Sequence, residues 1–408
     1  MRKIWKAYLE VSLIKKVTIA LILGITVGLI FGESASLLSP FGDLLMNLLQ
    51  FIIVPLIFFT LIVGINQTSS SNLGRMGGKV FLYYLATSAF AIIVGITVAS
   101  LFNPGEGITL SGTENIDIPE NPGIVEVLLS IVPDNIIAGF YEMNLLGIIF
   151  TALVFGIGLS VMRASSHLNE MGDRLYHTFD SLNELTLIIM KAILQYIPIG
   201  VFAILANIIG NQGIDTLLGL GNFIVVLYIA IIVHLALYVL LMIVLKIKPI
   251  SFFKEARTPM ITAFVTQSST GVLPVTLNAA KNLGLKKSLY GFSLPLGATM
   301  NMDGAAIRIA VSTVFAANVI GEPLSIIAIF QVVLIGTLVS VGTAGVPGAG
   351  IVMIATVFAQ LGLPMEAVAL LAAIDILIGM GATALNVTGD LVGAAVINKT
   401  EKNATEKG

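Results

Sequence analysis

The chain reads as an all-α polytopic membrane protein, and three observations predict that class. Of its 408 residues 57% are hydrophobic and 11% charged, whereas a soluble domain is roughly half apolar and about a quarter charged. The apolar residues come in long runs, and the cations gather at the ends of those runs. Residues 48–65, 80–102, 145–161 and 223–245 approach or exceed the about 20 residues that cross a bilayer as a helix. Residues 17–31 are shorter, but Lys15 and Lys16 before them can snorkel to the interface.

Twenty of the 21 Lys and Arg fall in five clusters: the N-terminus, Arg75/Lys79, Arg163/Arg174/Lys191, 246–287 and 399–407. The loop 103–123 carries Glu106, Glu114, Asp117 and Glu120 with no cation. The positive-inside rule then puts both termini and 246–287 in the cytoplasm of a cell with this chain in its (inner) membrane. No small-residue cleavage site follows the basic N-terminus, so a removable signal peptide is not expected. A net charge of −2 gives no basic surface for nucleic acid, and the absence of cysteine excludes disulfides and thiolate chemistry.

The first half reads as about six spanning helices. The third ends near Phe102. The fourth is broken by Pro119, Pro122 and Pro133. The fifth runs from about Leu185 to Ile209 with a kink at Pro198, and the sixth ends at Lys246 before Pro249. Beyond Pro249 the character changes. Two apolar stretches, 251–284 and 324–363, are interrupted at their midpoints by small polar residues. Each reads as a re-entrant hairpin followed by a long polar helix, 286–319 and 365–400. Interrupted backbone at membrane depth must line a cavity or be buried in protein, and paired interruptions point to a transporter's binding site. Glycine and proline that merely kink spanning helices would be scattered; these are clustered, polar and paired.

Ionisable residues inside a bilayer are costly and mark function. Here they are Asp303, Arg308, Asp375 and Asp390, all on the two polar helices. Carboxylates, amides, hydroxyls and carbonyls freed at an unwound turn suit a hard monovalent cation, sodium. Asn301-Met-Asp303, after Gly297, is placed for such unwinding, and Asn386 and Asp390 share a helix face with Thr383. A single Asn or Thr here serves equally well as an interhelical hydrogen bond. His167, His177 and His234 form no metal-ligand pattern. An intramembrane hydrolase lacks a nucleophile with a positioned base. An uncoupled anion channel is the remaining rival, and a polar pocket between two hairpin tips argues against it.

Gly297-Ala-Thr-Met-Asn-Met-Asp-Gly304, Ser340-Val-Gly-Thr-Ala-Gly-Val-Pro-Gly348 and Asn386-Val-Thr-Gly-Asp390 resemble the glutamate transporter family, the dicarboxylate/amino acid:cation symporters. Tyr83-Tyr-Leu-Ala-Thr-Ser88 and Gln195-Tyr-Ile-Pro-Ile-Gly-Val-Phe202 extend the resemblance over the whole chain. It implies a homotrimer of eight transmembrane helices and two re-entrant hairpins, with inverted repeats and an elevator-type division. Residues 1–75 and 113–212 would form the scaffold, and 76–112 and 213–408 the transport domain. It implies sodium held by carbonyls of Gly297, Asn301 and Asn386 with the Asp390 carboxylate. A second site would use carbonyls of Thr299, Ser340, Val341 and Thr343, and a third Tyr84, Thr87, Ser88, Asn301 and Asp303.

The substrate positions depart from the family. Where acidic amino acid carriers place an Arg and, one turn earlier, an Asp that holds the amino group, this chain has Ala382 and Gly379. Gln267 and Ala305 replace a first-hairpin Arg and a contacting Thr. Asn386, Thr383, Ser268, Ser269, Met302, Val346 and Gly348 are intact. Arg308 lies on the face of Asn301 and Ala305, so the guanidinium is expected to have moved to the seventh helix with Asp375 as partner. The alternative is a structural Arg308–Asp375 pair above a site for a neutral solute. The expected activity is sodium-coupled symport of an acidic amino acid or C4-dicarboxylate; the alternative is a neutral amino acid symporter or exchanger.

Overall fold

The computed structural model describes residues 11, 13–66, 75–108, 129, 132–142, 144–212, 215–341 and 348–405. Among these the regular structure is helical: α1 Leu13–Phe31, a 3-10 turn Gly32–Leu38, α2 Ser39–Asn66, α3 Arg75–Phe102, α4 Ile136–Tyr141, α5 Leu145–Ala164, α6 Asn169–Gln212 and α7 Asp215–Val244. There follow α8 Pro249–Thr266, α9 Ser269–Asn282, α10 Lys287–Met300, α11 Asp303–Val319, α12 Ile326–Val341, α13 Ala349–Leu361, α14 Met365–Ala373 and α15 Asp375–Thr405.

Seven helical stretches among the described residues are long and apolar enough to cross a bilayer, the first being α1 and α2 joined by the 3-10 turn. The outer helices carry large apolar side chains on their surface: Ile22, Leu29, Ile30 and Phe31 on α1, and Ile232, Leu240 and Ile243 on α7. Water would penalise so much contiguous apolar surface, and lipid does not. The most apolar 18 residues within Lys287–Val319, by contrast, are 94% buried and those within Asp375–Glu401 78%, against 33% within Leu218–Val244. The two most polar long segments therefore run through the middle. The chain is a multi-pass membrane protein.

Packing falls into two groups of helices. In one, α1, α2, α5 and α6 lie on one another; in the other, α3 and α7 to α13 gather about α11 and α15. The seam is formed largely by α13 on α2 and α14 on α6. Within the first group, Gly24 and Gly28 let α1 press against α6. A Cβ on either would stand 2.8 Å from the Phe202 carbonyl or 2.7 Å from that of Ala206. Small residues four apart permit such close crossings where burial from water supplies no drive.

Some boundaries differ from expectation. The fifth helix begins at Asn169 rather than near Leu185, and runs through Pro198 without ending. Residues 169–184 are charged, which hid them from a search for apolar runs, and part of that charge is paired. Glu170 and Arg174 pair one turn apart at 3.7 Å, and Asp173 accepts a 2.8 Å bond from Arg163. The polar helix expected to run unbroken over 365–400 is interrupted at Ile374. Asp375 opens α15, where a helix N-terminus favours negative charge. Of the fourth segment's three prolines, Pro119 and Pro122 lie outside the described residues, and its described helices are α4 and α5.

Candidate functional site

The site is built on a break in the seventh predicted helix. α10 ends at Met300 and α11 begins at Asp303; Asn301 (φ −99°, ψ 85°) and Met302 (φ −116°, ψ 50°) leave the helical region. Such a break frees the last carbonyls of one helix and the first N–H groups of the next. Asn386 on α15 fills part of that gap. Its Oδ1 accepts from the Gly304 N–H at 2.7 Å and the Ala305 N–H at 3.4 Å, and its Nδ2 donates to Met302 Sδ at 3.1 Å. Only glycine at 304 allows α15 so near, because a Cβ there would stand 2.0 Å from the Ala382 carbonyl.

Two carboxylates flank the break, and both are buried: Asp303 is 0% exposed and Asp390 2%. Ser88 donates to Asp303 Oδ1 at 2.8 Å and Tyr238 donates to Oδ2. His234 Nε2 lies 3.5 Å from the same Oδ2. Asn301 Nδ2 donates to Asp390 Oδ1 at 3.1 Å, and Asn301 Oδ1 accepts from Thr87 at 3.3 Å. Tyr84 donates to the Ser293 carbonyl. A Cβ on Gly297 would meet Asp390 Oδ1 at 2.5 Å and the Tyr84 hydroxyl at 2.8 Å. So α3, α10, α11 and α15 bring Tyr84, Thr87, Ser88, Gly297, Asn301, Asp303, Asn386 and Asp390 into one neighbourhood. Carboxylate, amide and hydroxyl oxygens beside loosened backbone make a donor set that fits a hard cation.

Tyr238 and His234 were not anticipated. They lie four residues apart on α7, hence on one face, and both are buried. Neither His234 ring nitrogen has a hydrogen-bond partner. Two polar rings at helical spacing inside an apolar run are a sequence signal, though one that names no partner.

The two paired short helices bring other predicted residues to the same region. Gln267 closes α8 in the left-handed conformation (φ 54°), and Ser268 caps α9 by accepting from the Gly271 N–H at 3.0 Å. Ser269 donates to the Ala298 carbonyl at 2.8 Å, tying this turn to the end of α10. Gly348 (φ 82°) precedes α13. The hydroxyls of Thr299 and Ser340 bond within their own helices, to Leu296 and Thr337. Thr343 and Val346 lie outside the described residues.

Arg308 and Asp375 form a buried ion pair between α11 and α15. The predicted partnership is present. The guanidinium stands where a Cβ on Gly350 would be, 2.1 Å from Nη1. Ala305 and Ala382 are buried nearby, and Thr383 donates to the Gly379 carbonyl at 2.8 Å.

Residues 13–400 match the model of the sodium:dicarboxylate symporter family. The chain belongs to that family. Members are transporters rather than enzymes. This symporter is 33% identical to the proton/glutamate-aspartate symporter of Escherichia coli (strain K12), over 91% of its own length and 87% of the relative's. It is 30% identical to the C4-dicarboxylate transport protein of Bacillus subtilis (strain 168), covering 90% and 89% of the two chains. It is also 30% identical to human neutral amino acid transporter A, covering 90% and 76%.

Proposed function

We propose that this symporter couples sodium to the uptake of a small organic acid, an acidic amino acid or C4-dicarboxylate, by alternating access. The observation that carries the reading is the pair Asp303 and Asp390, buried beside the 301–302 break among oxygen donors. A buried carboxylate without a fixed cation is costly, and the one cation inside this part of the fold, Arg308, is engaged by Asp375. A mobile cation is the natural complement. Asp303 with Tyr84, Thr87, Ser88 and Asn301 would hold one sodium. Asp390 with carbonyls of Gly297, Asn301 and Asn386 would hold another, and carbonyls of Thr299, Ser340, Val341 and Thr343 a third.

Substrate would lie against Ser268, Ser269, Met302, Val346, Gly348, Thr383 and Asn386, with sodium shaping the pocket before it arrives. The arrangement is an elevator: eight spanning helices with two re-entrant hairpins, α8–α9 and α12–α13. α1, α2, α4, α5 and α6 form a fixed scaffold of a homotrimer, and the rest slides. Both termini lie in the cytoplasm. A neutral amino acid is the second reading, favoured by the Arg308–Asp375 pair, which leaves no net charge at that point.

The test is uptake into proteoliposomes. An inward sodium gradient should drive saturable accumulation of L-aspartate or succinate, and Asp303→Asn with Asp390→Asn should abolish it. Accumulation that ignores sodium in the wild type would overturn the reading.

A further inference from the structure

We propose that Arg308 is the specificity-determining residue of the pocket: its guanidinium holds a second carboxylate of the transported solute, and Asp375 aims it. This rests on the symport reading above and narrows it to solutes carrying two acid groups.

Arg308 is the one cation among residues 288–398. It is 4% exposed, on a helix buried at every residue from Asp303 to Ala317. A charge at that depth is retained for a use. Its donors are only partly spent. Nη2 is bound to Asp375, while Nε is buried with no acceptor, and leaving a donor of a charged group unfilled is expensive. A carboxylate brings two acceptor oxygens, and the planar fork of arginine matches it.

Two glycines on different elements make room for the guanidinium itself. A side chain at Gly350 would collide with Nη1, and one at Gly379 would meet Gln267 Oε1 at 2.6 Å and Arg308 Nη1 at 3.9 Å. Four parts of the chain thus converge there: α11 through Arg308, α15 through Asp375 and Gly379, the first turn of α13 through Gly350, and the α8–α9 turn through Gln267. The opening of α13 adds the positive end of a helix dipole. Along α11, Arg308 stands one turn, about 6 Å, beyond Gly304, whose N–H is bound to Asn386. One end of a small solute near Asn386 would leave its other end at Arg308. The same geometry offers an amino group no free carboxylate, only the neutral Gln267 Oε1. Asp375 is occupied by Arg308, and Gly379, one turn along α15, has no side chain to offer.

The test measures binding of succinate, L-aspartate and L-serine to the purified protein in saturating sodium, by titration calorimetry. Sodium-only thermal stabilisation is followed in parallel. The wild type should bind succinate or L-aspartate and reject L-serine. Arg308→Gln should weaken diacid binding on the order of 10- to 100-fold, the worth of charge-assisted hydrogen bonds. Its sodium-only stabilisation should be intact, and Arg308→Lys should fall between. Should Arg308→Gln fold poorly, Gly350→Ala carries the question. It should push on Nη1, weaken diacid binding and leave sodium-only stabilisation intact, and diacid affinity unchanged in Gly350→Ala overturns the assignment. Diacid affinity unchanged in Arg308→Gln, or wild-type binding of L-serine alone, overturns the assignment. A wild type that binds none of the three, with or without sodium, instead overturns the symport reading on which it stands.

Discussion

Asp303 receives hydrogen bonds on both oxygens, from Ser88 and Tyr238, and this fixes what losing one of them should do. Without sodium those donors are what stabilise a buried charge. Removing one exposes the carboxylate to the full desolvation penalty, about 1–3 kcal/mol. A sodium ion at Asp303 would restore most of that. Tyr238→Phe should therefore melt at a lower temperature than wild type without sodium, and gain more from sodium addition. A thermal-shift titration with sodium, choline as the control cation, checks both signs. Asp303→Asn should show the converse: no penalty without sodium, and a sodium response shifted to at least about tenfold higher concentration, as lost charge attraction at a buried site implies. An equal sodium response in the two variants would mean that the ion does not bind at this carboxylate. The two aspartates were legible because a charge in an apolar run has no bland purpose. Tyr238 was not. It lies 65 residues before Asp303 on an apolar helix, and no spacing rule joins the two.

At the scale of the element, the breaks that matter are of two kinds. Those at 267–268 and 301–302 were readable because small and polar residues cluster where apolar ones are expected. Ser268 supplies a cap and Asn386 supplies acceptors to replace lost helical bonds. The break at Ile374 was not readable, since residues 367–374 are all apolar and none is glycine or proline. The residue that opens α15 after it, Asp375, pairs with Arg308 on another helix, a tertiary contact that no local pattern shows. The early start of α6 was missed for the opposite reason: a charged amphiphilic stretch extends a helix as well as an apolar one does. The α11–α15 crossing gives a sharp prediction. Gly304→Ala drives a methyl into the Ala382 carbonyl, and overpacking of this kind costs about 1–3 kcal/mol. Gly221→Ala, on an exposed face of α7 with nothing within 4 Å, should instead stabilise by about 0.5–1 kcal/mol through helix propensity. Melting temperatures of the two variants should move in opposite directions, and only Gly304→Ala should lose sodium-dependent ligand binding.

For the whole molecule, the decisive question is whether the two groups of helices move past one another. Their seam is modest beside the packing within each group, which is what a sliding interface requires, since shear is cheap where few side chains interlock. Leu194 on α6 and Gly348 ahead of α13 face each other across it: a Cβ on Gly348 would lie 2.4 Å from Leu194 Cδ2. The chain has no cysteine of its own, so a pair introduced at Leu194 and Gly348 reports on that contact alone. Gly348 has φ 82°, so any side chain there carries a strain of about 1–2 kcal/mol. The informative comparison is therefore within the double variant, before and after bridging. Mercuric ion or mild oxidation should link the pair, stop sodium-driven uptake, and leave the sodium-only thermal stabilisation intact. Reductant should restore transport, and neither single cysteine variant should respond. Full bridging with undiminished uptake would show that the two groups travel as one body, and transport would then need a local gate at the α8–α9 or α12–α13 turns rather than a slide.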